Sequence, residues 1–254
     1  MCTAPYRLGL TATPIPEERV VPEIRSCMGR TVCSYSIANF AGVHLAPLKQ
    51  FTVHVTLTSA EQVQYNAAAA IYKEAIRNFK AQCPGGTWAD FTRAALQSHA
   101  GRKALAAHRM AAQISSMAEH KHKALRQILA DHADQPVLIF TADNRAAYKV
   151  SADLLIPAIT CDIKAKERES ILVAFQSGRI RAVVSAQVLN EGIDLPEVAC
   201  GVVLGGQGGE REHIQRVGRL LRPRPGKTAV VYEVVVDGTA EVRKSADRRR
   251  ALAA

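Results

Sequence analysis

Two arginines near the C-terminal end, Arg219 and Arg222 in Gln215-Arg216-Val217-Gly218-Arg219-Leu220-Leu221-Arg222, are of a type and spacing that could do chemistry. Residues three apart share a helix face. Two guanidinium groups on one face can reach the oxygens of a triphosphate and offset the charge that builds during phosphoryl transfer. Gly218 would allow close approach of a facing backbone. A surface helix with ordinary salt bridges fits the same residues.

A second segment, Val184-Ser185-Ala186-Gln187-Val188-Leu189-Asn190-Glu191-Gly192-Ile193-Asp194-Leu195-Pro196, follows an apolar run. Ser185 falls where that run ends, and open parallel sheets present their binding groups at such strand ends. Glu191-Gly192 reads as a turn. Asp194, shortly before a rigid proline, could accept a hydrogen bond from a ribose hydroxyl or cap the turn.

The elements that must position these groups alternate between strand and helix. Val137–Phe140 is a continuous apolar run, as expected of a strand buried on both faces. Runs at 182–184, 202–204 and 229–235 have the same character. Helices are predicted near 144–155, 165–176 and 210–221. The alternation predicts an α/β fold with a parallel sheet and flanking helices. Upstream, 53–57 alternates as a strand does, and Thr58 or Ser59 with Glu61 supplies a helix start. That helix should run to about Ala81 and break at Cys83-Pro84-Gly85-Gly86, before Ala-rich basic helices from about Trp88 to His132. Pro14, Pro16 and Pro22 argue against a long helix near the N-terminus. The basic end (Arg243, Lys244, Arg248, Arg249, Arg250) reads as a solvated helix or frayed tail.

Composition narrows the class. A formal charge of +10 over 254 residues favours polyanionic partners. Aromatics make up only 5% of a chain that is 48% hydrophobic, so Ala, Val, Leu and Ile must build the core. The six cysteines form no C-x-x-C pair or zinc-ligand spacing, so scattered buried thiols in a reducing cytoplasm are expected, with no metal site. No apolar run is long enough to cross a bilayer.

Taken in order, the segments TATP (11–14), VLIFTADN (137–144), ITCD (159–162) with KERESIL (166–172), VSAQVLNEGIDLP and QRVGRLLR resemble motifs III through VI of superfamily 2 helicases, in particular the bacterial XPB-like DNA helicases. The resemblance covers nearly the whole chain. It implies a RecA-like second helicase lobe of the P-loop NTPase type at 51–240, with a thumb-like helical insertion at about 59–132. Residues 1–50 would be a remnant of the first RecA-like lobe with its linker, and 241–254 a basic tail.

Residue by residue, the resemblance assigns coupling of nucleotide state to nucleic-acid grip to Thr11 and Thr13. Nucleic-acid contact falls to Thr141, Asn144, Arg145, Thr160, Cys161 and Ser185. Gly192 and Asp194 become the nucleotide-side residues, and Gln215, Arg219 and Arg222 the catalytic set with both arginines as fingers. Arg93, Arg102, Lys103, Arg109, Lys121 and Lys123 of the insertion could touch phosphates or form a solvated face.

The implied activity is that of the C-terminal half of an ATP-dependent DNA helicase or translocase moving 3′ to 5′. A non-catalytic nucleic-acid-binding module is the alternative. Where XPB-like enzymes often carry Arg-Glu-Asp after motif III, this chain has Pro16-Glu17-Glu18. It contains no G-x-x-x-x-G-K-[ST] and no DExH or DExD box. Gly226-Lys227-Thr228 leads into a strand, whereas a phosphate loop leads into a helix whose N-terminus holds the anion. ATP and Mg2+ are therefore expected to bind mainly on a first lobe, in the same gene product or a separate chain. DNA, that lobe and a partner nuclease are the expected partners.

Overall fold

The computed structural model describes residues 6–11, 22–35, 37–42, 44–186, 198–205, 217–218, 220 and 226–253. Six strands form one sheet: β1 (Leu48–Val55), β2 (Val137–Phe140), β3 (Ala158–Ile159), β4 (Ala182–Ser185), β5 (Cys200–Val203) and β6 (Ala229–Val236). Their order is β1-β6-β5-β2-β4-β3, and every neighbouring pair runs parallel. The central strands β2 and β5 are buried at every position. The predicted strand at 53–57 is instead Leu48–Val55, paired along its length with β6. The two-residue β3 carries too short an apolar signal to stand out in the sequence.

Alternate strand residues feed two cores, because side chains along a strand point to opposite faces. Leu138, Phe140, Val183 and Val203 join Phe175 of one helix, α8 (Ala165–Gln176). Val137, Ile139, Val184 and Val202 join Leu125 and Ile128 of α6 (Glu119–Asp131) and Ala147 and Val150 of α7 (Asn144–Leu154). The sheet is thus sandwiched between helical layers. Val217 and Leu220 are buried in the first of these cores. The rest of the helix predicted at 210–221 lies outside the described residues.

Three helices stand between β1 and α6: α3 (Ser59–Gln82), α4 (Trp88–Leu96) and α5 (His99–Ser116). Thr58, not Ser59, caps α3, and Glu61 completes the reciprocal capping box by accepting from the Thr58 N–H at 2.9 Å. Small residues let the helices approach closely. Ala68 and Ala69 of α3 pack with Ala107 and Ala111 of α5. A β-carbon at Gly101 would stand 2.2 Å from the Ala95 carbonyl oxygen, so only glycine fits where α5 crosses α4. Phe91 is buried between these helices, whereas Trp88 is half exposed against His108.

Short helices α1 (Pro22–Met28) and α2 (Ile37–Phe40) precede the sheet. Pro22 stands at the first helical position, where its missing N–H costs nothing. The C-terminal end is a helix, α9 (Ala240–Ala253), the first of the two forms expected, with Arg243, Lys244, Arg249 and Arg250 exposed but Arg248 not. Arg248 is buried and bonds buried Glu233 of β6, its Nε 3.1 Å from Oε1, while the Ser245 hydroxyl donates to the other oxygen. Lys121 of α6 is also fully buried and cannot reach a phosphate as the sequence suggested. Its ammonium sits 2.7 Å from Glu241 of α9 and 2.7 Å from the Leu204 carbonyl.

The cysteines differ from expectation. Cys27, Cys33, Cys83 and Cys161 are exposed, and only Cys200 among the described cysteines is buried, which pushes its thiol up to about 12. No described helix is long and apolar enough to cross a membrane.

Candidate nucleic-acid interface

The carboxyl ends of β2, β4 and β3 lie side by side. Ser185 ends β4, with Phe140 and Ile159 as its register partners on the two flanks. Thr141 and Thr160 follow those partners directly, so the three hydroxyl residues named from the sequence form a row along one sheet edge.

All three are fully buried. The Thr141 amide donates to the Ser185 carbonyl at 2.9 Å, and the Thr141 hydroxyl donates to the Asp143 carbonyl at 3.1 Å. The Thr160 hydroxyl lies 2.7 Å from the Tyr148 hydroxyl and accepts from the Asp162 amide at 3.3 Å. Ser185 differs: its Oγ has no hydrogen-bond partner among the described residues. A buried polar atom without a partner carries a desolvation penalty of ~1–3 kcal/mol, so such an atom calls for an explanation.

Thr141 and Thr160 therefore shape the edge, and exposed groups are left to contact a ligand. Asp143 caps α7, its Oδ1 accepting from the Ala146 amide at 2.8 Å. Asn144 then donates to Asp162 Oδ2 at 2.8 Å and to Cys161 Sγ at 3.0 Å. Tyr148, four residues on and so on the same helix face, donates to the same Asp162 oxygen at 3.3 Å. These bonds tie the start of α7 to the end of β3. Arg145 and Cys161 stand exposed beside them. Sequence reasoning missed Asp143, Tyr148 and Asp162. The Asp143-Asn144 pair before a helix was a capping signal that could have found the first.

The remaining predicted residues are not brought into this row. Thr11 is exposed in a stretch without regular structure. Thr13, Gly192, Asp194, Gln215, Arg219 and Arg222 lie outside the described residues. Among the described residues no atom lies within 4 Å of a β-carbon added at Gly218, whereas one added at Gly201 on β5 would stand 2.4 Å from the Leu220 side chain at Cδ1. Among the described residues no cluster of His, Cys, Asp or Glu could hold a metal ion. The described edge presents the Asn144 amide and the Arg145 guanidinium beside the Asp143 and Asp162 carboxylates.

The model of the helicase conserved C-terminal domain matches residues 120–224, which span this edge. The chain is 34% identical over 251 residues to the DNA 3'-5' translocase XPB2 of Sulfurisphaera tokodaii, with 97% of this chain and 56% of that protein aligned. It is 30% identical to the DNA 3'-5' helicase XPB of Mycobacterium tuberculosis, aligning 97% of this chain and 39% of that one.

This chain is an XPB-like superfamily 2 helicase C-terminal lobe.

The lobe spans about half, or less, of the length of these relatives. Its fold is RecA-like. It superposes on the Sulfolobus solfataricus SWI2/SNF2 ATPase core with a TM-score of 0.56 at 16% identity, covering 77% of this chain and 42% of that one. The Pyrococcus furiosus Hef helicase domain gives a TM-score of 0.56 at 15% identity over 81% of this chain and 58% of that one.

Proposed function

We propose that this lobe is the second half of an ATP-dependent DNA helicase or translocase, closing onto a nucleotide and Mg2+ held mainly by a first RecA-like lobe. The observation that carries this reading is the row of Thr141, Ser185 and Thr160 at the carboxyl edge, with Asn144, Arg145 and Cys161 presented beside it. In this reading Arg145 meets strand phosphates, and Asn144 and Cys161 complete the contact. Ser185 supplies the hydroxyl that lacks a partner among the described residues. Residues before β1, which opens at Leu48 in this sheet, belong with the first lobe and its linker, and α3 to α5 form a thumb-like insertion, shorter than the expected 59–132 because α6 packs on the sheet.

Arg219 and Arg222 are the fingers, each placing a guanidinium against phosphate oxygens as charge builds on them. Gln215 stands with them, and Gly192 and Asp194 meet the nucleotide's ribose side. Thr11 and Thr13 pass nucleotide state to the grip on DNA. The names of the relatives, which specify DNA and 3'-5' movement, support DNA as substrate and that polarity.

The test is reconstitution. The chain alone should not turn over ATP at helicase-like rates. Mixing it with a first lobe that carries a phosphate loop and a DExH box should restore DNA-stimulated hydrolysis. Robust DNA-stimulated turnover by the isolated chain would refute the assignment of the nucleotide to another lobe. No stimulation in the mixture would favour a non-catalytic binding module.

A further inference from the structure

A cavity of about 270 Å³ lies between the helical insertion, the carboxyl edge of the sheet and α9. Arg109 of α5, Arg145 of α7 and Lys244 of α9 line it, one cation from each of three elements. All three are exposed, and none has an ion-pair or hydrogen-bond partner among the described residues. The carboxylates of the same wall are already bonded. Asp143 caps α7, and Glu241 takes the Lys121 ammonium at 2.7 Å and the Val236 amide at 3.0 Å. Arg248, the fourth cation of the wall, is neutralised by Glu233. Asp143 is the one carboxylate of the wall without a cation partner among the described residues, so against three free cations the cavity keeps a net positive charge.

We propose that this cavity is a phosphate site, and that its ligand is a backbone phosphate of a nucleic-acid strand crossing from the insertion to the sheet edge. The inference rests on the nucleic-acid reading above and adds Arg109 and Lys244 to it. Two features favour a strand. The volume falls just below the ~300 Å³ at which pockets for whole small molecules begin, and suits one phosphate–sugar unit. The cations come from both sides of a gap that is also lined by Ala142 and Asp143, the residues next after Thr141. His108 shares the wall, and burial first and then Lys244 hold its imidazole below the usual histidine range. A bound phosphate would offset the Lys244 contribution, which makes His108 a reporter from inside the cavity.

The experiment uses the intact chain and a fluorescent single-stranded oligonucleotide, with affinity read across roughly 50 to 200 mM salt. Lys244→Ala and Arg109→Ala should each weaken binding roughly fivefold and flatten the salt slope by about 0.7. Arg249→Ala, on an exposed position of α9, should change neither. In parallel, NMR titration of His108 should show its pKa raised by the oligonucleotide and unmoved by the same phosphate concentration as inorganic phosphate. Wild-type affinity in Lys244→Ala and Arg109→Ala, with loss in Arg145→Ala, would overturn the cavity while leaving the nucleic-acid reading intact. A His108 response to inorganic phosphate alone would overturn the strand as ligand. Failure of the wild-type chain to bind the oligonucleotide even at low salt would remove the reading beneath it.

Discussion

Gly201 lies directly beneath Leu220: a β-carbon on the glycine would stand 2.4 Å from Leu220 Cδ1. Leu220 is buried in the core on that face of the sheet, so it has no room to swing aside. Leu220 is therefore seated on the glycine of β5. Gly201→Ala is expected to lower stability by about 1–3 kcal/mol, the usual cost of overpacking a core. Urea denaturation measures it. Adding Leu220→Val to Gly201→Ala should recover part of the loss, and a double variant worse than the sum of the singles would contradict the contact.

Ser185 separates stability from function. Its Oγ is buried and lacks a partner among the described residues. Removing that oxygen should leave stability within about 0.5 kcal/mol of wild type or raise it, because no internal hydrogen bond is lost. DNA-stimulated ATPase in the reconstituted two-lobe enzyme should fall. Thr141→Ala should instead destabilise the chain by about 1 kcal/mol, since its hydroxyl donates to a backbone carbonyl. A Ser185→Ala variant that loses stability and keeps full activity would show the hydroxyl to be structural.

The C-terminal helix is part of the fold. Arg248→Ala would break its ion pair with buried Glu233, and breaking such a pair costs about 3–5 kcal/mol. Arg249→Ala, one residue on and exposed, should stay within about 0.5 kcal/mol. Equal midpoints for the two variants in thermal or urea unfolding would restore the picture of a solvated tail.

Strands β2, β4, β5 and β6 were legible in the sequence because burial writes a continuous apolar run, as at Val137–Phe140. The capping of α3 was legible because Thr58 and Glu61 stand at capping-box spacing. The role of α9 was hidden by its charge: Arg248 looks like any other basic tail residue until Glu233, 15 positions earlier, is placed beside it by the fold. Lys121 was misread for the same reason, since its partner Glu241 is 120 positions away. At the site, the sequence supplied the hydroxyl row and Arg145. It could not show that Thr141 and Thr160 turn their hydroxyls inward, because Tyr148 and Asp162 meet Thr160 only in three dimensions.

Two half-buried or buried histidines give the stability a pH dependence. Burial holds His122 below the usual value of 6.5, outweighing Asp153 Oδ2 at 3.0 Å, and burial also depresses His108. A depressed folded pKa means that the unfolded chain takes up protons first as pH falls. Stability should therefore be fully present above about pH 6.5 and decline below it. Urea midpoints between roughly pH 7.5 and 5.5 check this. His122→Gln should make the decline shallower, and an unchanged slope would show that His122 does not contribute.

The central claim is that Arg219 acts on a nucleotide held by another lobe. The most direct measurement is the DNA-stimulated kcat for ATP of Arg219→Ala, reconstituted with a first lobe, beside its DNA affinity. Loss of an arginine finger predicts a fall in kcat of about 10³-fold or more with DNA binding little changed. A kcat equal to that of the wild-type mixture would contradict the account.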